Sequence, residues 1–180
     1  MKNALKKFTD TNIRFNCRFS YAAVFEPKAT PSGAMKYSCC LLIPKSDTAT
    51  LKAINEALDA AKELGKGQWG GKIPPTLKII LRDGDTDHPD DENYAGMMFI
   101  NASSNRKPGV KMVDSGMLVD ALDESEFYSG CYGAAEVNFY PYAEGGSKGV
   151  SAGLNNVIKL EDGEKMAGGM SADDAFGDLV

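Results

Sequence analysis

FYSGCYGAAEVNFYPYAEGGSKGVSAGLNNVIKLED, residues 127 to 162, is the stretch whose reading decides the fold. Between Gly130 and Tyr142 the side chains alternate. Cys131, Gly133, Ala135, Val137 and Phe139 share one face, while Tyr132, Ala134, Glu136, Asn138, Tyr140 and Tyr142 share the other. A period of two marks a strand with two unlike faces. A Gly-Gly-Ser turn from Gly145 to Ser147 and a second run from Val150 to Leu160 complete a long β-hairpin. The small and apolar face suits a curved sheet packed on a core. The tyrosines on the other face suit a platform for unstacked bases.

Working outward, residues 12 to 25 read as a long first strand. Ile13, Phe15, Cys17, Phe19, Tyr21, Ala23 and Phe25 form its core face, opposite Asn12, Arg14, Asn16, Arg18 and Ser20. Arg14 and Arg18 are either solvated surface or part of a phosphate track. Residues 26 to 34 hold two prolines and a glycine and read as a turn. Met35 to Ile43 is a second strand whose CCLLI end is apolar on both faces, as a covered strand requires, and Pro44 ends it. Ser46 or Asp47 then caps a helix from Thr48 to Leu64 with a stripe of Leu51, Ile54, Leu58 and Ala61, and Gly65 stands at the C′ position. This helix plugs one end of a sheet.

The loop KGQWGGKIPP carries Trp69, which either folds back on the core or stacks a base. Thr76 to Arg82 and Tyr94 to Ser104 read as two further strands, with Phe99 and Tyr37 as core residues. Between them, Asp83, Asp85 and Asp87 resemble the start of a calcium loop. The match fails at the sixth position, His88, and the twelfth, Tyr94. A metal-dependent nuclease built on the Asp83–Asp91 loop is the enzymatic alternative, and an acidic surface turn is the simpler reading. Arg106, Lys107 and Lys111 surround a Pro-Gly turn, and Val119 to Phe127 reads as a helical turn beginning at Asp120.

A chain of 180 residues implies one domain with a real core. No apolar run reaches the ~20 residues of a membrane helix, and the lysines near the start precede no apolar signal segment, so the cytoplasm is the expected location. Cys17, Cys39, Cys40 and Cys131 lack CxxC spacing, and His88 is the single histidine, so neither a metal site nor a cofactor is expected. Buried reduced thiols are. The net charge of −5 is confined to the end: six acids and one lysine follow Leu160, which leaves the preceding 160 residues neutral overall. Residues 163 to 180 have no periodicity and read as a disordered acidic tail on a 1–162 body. Within the tail Asp173, Asp174, Phe176 and Asp178 form a candidate partner-binding motif.

Strands in this order with one helix and long loops fit a mainly β Greek-key barrel of the OB-fold type, the helix acting as a cap. Ordinary OB domains place their helix between the third and fourth strands, and here it comes earlier. RDGD at Arg82, YAG at Tyr94, INASS at Ile100, YSGCYG at Tyr128 and KGVSAGLNNVIKLEDGE at Lys148 together resemble a family of phage-encoded single-stranded-DNA-binding proteins. The resemblance covers most of the body. It implies an OB-fold, non-catalytic binding of single-stranded DNA in phage replication or recombination, and an acidic tail that meets replication or recombination proteins. Phe176 is not the last residue, a departure from tails of this class that end in Phe.

Sequence-independent binding of a single strand needs cations along the phosphates and rings against the bases. The candidates are Arg14, Arg18, Lys36, Arg82, Arg106, Lys107 and Lys111 for the first, and Trp69, Tyr94, Tyr132 and Tyr140 for the second. The acidic tail is a candidate occupant of that groove when DNA is absent. A second copy of the chain is a further candidate partner. No Ser/His/Asp or Cys/His set and no GxxxxGK[ST] loop is present, which points away from catalysis. A barrel binding some ligand other than nucleic acid is the remaining alternative.

Overall fold

The computed structural model describes residues 1–166 and Leu179. Its elements in order are β1 (Lys6–Lys7), β2 (Asn12–Ala29), β3 (Met35–Pro44), α1 (Thr48–Gly65), β4 (Lys78–Ile79), β5 (Leu81–Asp83), α2 (Gly84–Asp87), β6 (Met97–Ser104), β7 (Gly109–Asp114), β8 (Met117–Asp120), β9 (Tyr132–Glu144) and β10 (Ser147–Glu161). β9 and β10 form the expected hairpin. Gly145 and Gly146 make its two-residue turn, both with positive φ, as a turn matched to the strand twist requires.

Five strands close a barrel. β2 pairs with β3, β3 with β6, β9 with β2 and β10 with β9, all antiparallel, and a parallel contact between β6 and β10 shuts the ring. The circuit leaves β2 at Ala23, passes Ser38, Ser103, Gly153 and Asn138, and returns to β2 at Asn12. That stagger is the shear a closed barrel of tilted strands demands. Taken as first to fifth barrel strands, β2, β3, β6, β9 and β10 run in the OB order, and α1 lies between the second and third. The place between the third and fourth strands is taken by the β7–β8 hairpin.

The core is one cluster in which Ile13, Phe15, Phe19, Leu41, Val137 and Phe139 from the strands meet Ile54, Ala57, Leu58 and Ala61 from α1. The Asp47 carboxylate caps the helix by accepting from the Thr50 N–H at 3.2 Å. Gly65 is not the left-handed C′ residue expected; it is the last helical position, and Trp69 packs on it. β3 is covered on both faces as expected. Cys39, Leu41 and Ile43 face the barrel core, whereas Cys40 and Leu42 join Tyr94 and Phe99 in a smaller cluster outside it. All four cysteines are buried free thiols, and burial pushes Cys17 and Cys39 well up and Cys40 to about 11, which leaves them inert.

Three expectations need correction. The first strand does not alternate to its end: a bulge between Ser20 and Ala23 shifts the register, and Tyr21 at φ +46° turns outward, 70% exposed. The run from Thr76 to Arg82 is two short strands, β4 beside β10 and β5 beside β6. Residues 109 to 120 form a β-hairpin, with Ser115 and Gly116 at positive φ in its turn, so the helical turn expected at Asp120 forms only at Asp123 to Phe127. The signal was available in the alternating VKMV and MLVD around Asp-Ser-Gly.

Candidate nucleic-acid interface

The outer face of β2 and β9 is where the tyrosine platform was expected. Its centre is Glu136. Burial pushes that carboxyl up, and hydrogen bonds from Asn155, Asn156 and Asn12 outweigh it and leave it lowered. A carboxylate fixed by three amides repels phosphate. Arg14 and Arg18 do share this face, but both are committed. Arg14 donates from Nε to the Ala4 carbonyl at 2.8 Å and holds the segment before β1 in place. Arg18 donates to the carbonyls of Gly130 at 3.0 Å and Glu164 at 2.9 Å, with its guanidinium 5.0 Å from the centre of the Tyr132 ring.

Residues Gly163 to Met166 lie along this end of the barrel as a strap. Gly163 passes so close to Tyr132 that a Cβ would stand 2.8 Å from the ring. The Tyr128 hydroxyl donates to Asp162 at 2.6 Å, and the Met166 N–H donates to the Ser129 carbonyl at 2.9 Å. Tyr132 is therefore half-covered, and of the expected platform tyrosines only Tyr140 is open, 38% exposed opposite Ser151.

Two expected stacking residues are core residues. Trp69 is 5% exposed and donates from Nε1 to the Tyr142 carbonyl at 3.1 Å. Tyr94 is 3% exposed, with its ring 4.2 Å from His88 and 5.1 Å from Phe99 between centres and its hydroxyl 3.7 Å from Cys40 Sγ. Large rings gain more from burial than from exposure unless something holds them out. Arg82 is tied to Asp87 in the acidic turn, and Lys111 to Asp120 at 2.6 Å on the β7–β8 hairpin. In that acidic turn Lys45 Nζ lies 2.7 Å from both Asp83 and Asp85, and its hydrogen bonds hold both carboxyls below their usual range. The expected cations are thus scattered over the barrel and do not form one stripe.

A different set of residues comes together at the far end of β2. Three clefts of about 510, 330 and 680 Å³ share walls there. Phe25, Lys28, Tyr128 and Lys165 line the first; Tyr21 and Lys28 line the second; Phe25 and Lys107 line the third. Lys28 pairs with Lys36 across β2 and β3, Lys107 Nζ lies 6.0 Å from the Phe25 ring centre, and Lys165 lies 5.3 Å from that of Tyr128. Arg106 is exposed next to Lys107 in the β6–β7 loop. Four carboxylates, Glu26, Asp91, Asp123 and Glu124, share the walls with the three lysines. Of the expected residues, only Lys107 lines this trough; Lys36 is paired in register with Lys28, and Arg106 is the exposed chain neighbour of Lys107. Tyr21, Phe25, Lys28, Tyr128 and Lys165 were missed. Only Lys28 carried a signal, in a stretch that read as a turn and that β2 in fact enters as far as Ala29; alternation assigned Tyr21 and Phe25 to the core, and Phe25 does pack against it, partly buried.

An OB barrel whose open clefts hold lysines and rings among carboxylates has the architecture of a ligand-binding barrel. The profile of the family described as Enterobacter phage Enc34, ssDNA-binding protein matches residues 11–179, and the chain belongs to that family. Putative protein p50 of Acyrthosiphon pisum secondary endosymbiont phage 1 is 34% identical over 175 residues, 91% of each chain. The single-stranded DNA-binding protein from bacteriophage Enc34, solved in complex with ssDNA, is 27% identical with a TM-score of 0.75 over 92% of this chain and 99% of that one. The single-stranded DNA-binding protein gp2.5 of bacteriophage T7, 16% identical with a TM-score of 0.55 over 94% of this chain and 95% of that one, shares the fold. The family and the two solved neighbours are described as single-stranded-DNA-binding proteins, not as enzymes. Among the described residues, no helix is long and apolar enough to cross a membrane.

Proposed function

We propose that this protein binds single-stranded DNA without sequence choice, in the host cytoplasm, during phage replication or recombination. The observation that carries the reading is membership of a single-stranded-DNA-binding family together with the trough, where Lys28, Lys107 and Lys165 stand among Tyr21, Phe25 and Tyr128. Lysines follow the phosphates, and each stacked base contributes ~1–3 kcal/mol. Lys36 and Arg106 extend the cationic margin. The candidate partner motif Asp173, Asp174, Phe176 and Asp178 lies outside the described residues. Its proposed role is contact with replication or recombination proteins, and competition with DNA for the trough. The strap delivers the chain to Met166, on the trough wall beside Lys28. The tail therefore starts where a competing anion is most effective. Arg18, Tyr128 and Ser129 hold Asp162, Glu164 and Met166 on the barrel, so these residues are proposed to belong to the body, which moves the division between body and tail beyond the expected Asp162.

The nuclease alternative is disfavoured by Lys45, whose ammonium already sits between Asp83 and Asp85 where a metal would bind. The test is fluorescence anisotropy of a labelled dT oligomer at two salt concentrations, with a duplex of the same length as control. Binding that falls steeply with salt and prefers the single strand is expected. No response to either DNA favours a barrel for another ligand and sinks the reading.

A further inference from the structure

The β7–β8 hairpin carries a dense group of exposed apolar side chains: Val113, Met117 and Leu118, the last two each 64% exposed. Among the described residues β8 pairs with β7 alone, which leaves its outer edge open. From Val113 to Glu124 the chain holds four carboxylates and no cation. An apolar edge strand left open is an association site.

A complementary edge lies on the same chain. Among the described residues β1 pairs with β2 alone, and Lys6 and Lys7 are exposed on it. Phe8 follows, half-exposed, with Lys6 Nζ 5.0 Å and the Arg14 guanidinium 5.8 Å from its ring centre. From Lys2 to Arg14 there are four cations, Lys2, Lys6, Lys7 and Arg14, against Asp10. The two edges end one hydrogen-bonded row that runs Lys6, Arg14, Glu136, Asn156, Gly109 and then across β7 to β8. Because the edges differ, a contact between them is heterologous and repeats head to tail, into an open chain of copies unless the rotation closes a ring.

We propose that the acidic, apolar β8 edge of one copy docks on the basic edge of the next at Lys6 to Phe8. Copies then line up head to tail. The consequence, cooperative coverage of a long strand, rests on the single-strand reading above; the contact itself does not.

The test uses the full chain on poly-dT and on a dT oligomer that accommodates one copy. Wild type binds poly-dT cooperatively, and salt weakens that cooperativity. Met117→Glu with Leu118→Glu lowers it by about tenfold or more, a change of ~1.4 kcal/mol, and leaves affinity for the short oligomer as it was. Lys6→Glu with Lys7→Glu does the same. Copies carrying Asp114→Lys and Asp120→Lys fail alone, and an equimolar mixture with the Lys6→Glu, Lys7→Glu copies regains cooperativity. Unchanged cooperativity in the hairpin variant overturns the proposal, and so does a mixture that regains none. Loss of short-oligomer binding also overturns it, by placing the hairpin on DNA. If wild type binds no DNA, the single-strand reading fails by itself. Sedimentation without DNA then decides the contact: self-association lost in the hairpin variant supports it, and a monomer at all concentrations overturns it.

Discussion

The indole of Trp69 lies against the bare Cα of Gly65: a Cβ there would stand 2.5 Å from Cη2 of the ring and 2.8 Å from the Cβ of Pro141. With Nε1 bonded to the Tyr142 carbonyl, this locks the C-terminal end of α1 onto β9. Gly65→Ala overfills the site and lowers stability by about 1–3 kcal/mol, and Trp69→Ala by about 3–5 kcal/mol. Urea unfolding measures both. Because the ring is inside, saturating dT oligomer leaves the tryptophan emission nearly unchanged. Strong quenching by DNA would return Trp69 to the interface.

The trough makes a different demand on its lysines. Lys28→Glu and Lys107→Glu each weaken binding of a dT oligomer, and each reduces the slope of log affinity against log salt by about one ion or less. Arg82→Glu, in the acidic turn with Asp87, leaves the slope unchanged. Titrations at three salt concentrations separate these cases. Equal effects from Arg82 and Lys28 would mean that the strand runs elsewhere.

Tyr21 sets stability against binding. A non-glycine residue at φ +46° is strained by about 1–2 kcal/mol, and the ring gains little from burial to offset it. Tyr21→Gly therefore unfolds at equal or higher urea than wild type and binds dT more weakly, by the ~1–3 kcal/mol of one stacked base. Weaker folding with unaltered binding would make the bulge purely structural.

The barrel was legible because its strands alternate or carry continuous apolar runs. The β9–β10 hairpin, the two-sided β3 and the capped α1 each follow from period and punctuation. The site was less legible because cations and rings look alike wherever they are used. Arg14 and Arg18 have the spacing of a phosphate track, yet their partners are the Ala4, Gly130 and Glu164 carbonyls, far away in sequence. Tyr21 was hidden by one bulge, which moves a side chain across the sheet without leaving any mark in the alternation.

Glu136 gives the fold a pH dependence. Its carboxyl is lowered from an ordinary value of 4.5, so its contribution to stability is present above pH 4.5 and is lost as pH falls through the lower, folded-state value. Glu136→Gln opposes an amide to the donors of Asn12, Asn155 and Asn156 and lowers the melting temperature at pH 7. The gap between variant and wild type closes as pH falls below 4.5 and through the carboxyl's lowered folded-state value. Melting curves from pH 7 to 3 test this, and a constant gap contradicts it.

The strap and the tail are separable by where the chain is cut. Ending the chain after Met166 keeps the Arg18–Glu164 and Met166–Ser129 bonds and removes only the acids beyond. Ending it after Asp162 removes both. If the tail competes for the trough, the chain ending after Met166 binds dT more tightly than the full chain at low salt, and the difference fades at high salt as screening weakens the tail's attraction; the chain ending after Asp162 also loses Lys165 from the trough wall, which offsets part of that gain. Only the shorter chain also melts earlier, because Arg18 loses the Glu164 carbonyl and Met166 leaves the cluster of Cys40, Leu42, Tyr94 and Phe99. The shorter chain also uncovers Tyr132, so a further gain in affinity over the longer truncation would show that the strap itself shields a binding surface. Anisotropy titrations and melting curves on the three chains give both readouts. Unchanged affinity at low salt in the chain ending after Met166 rules out competition by the tail.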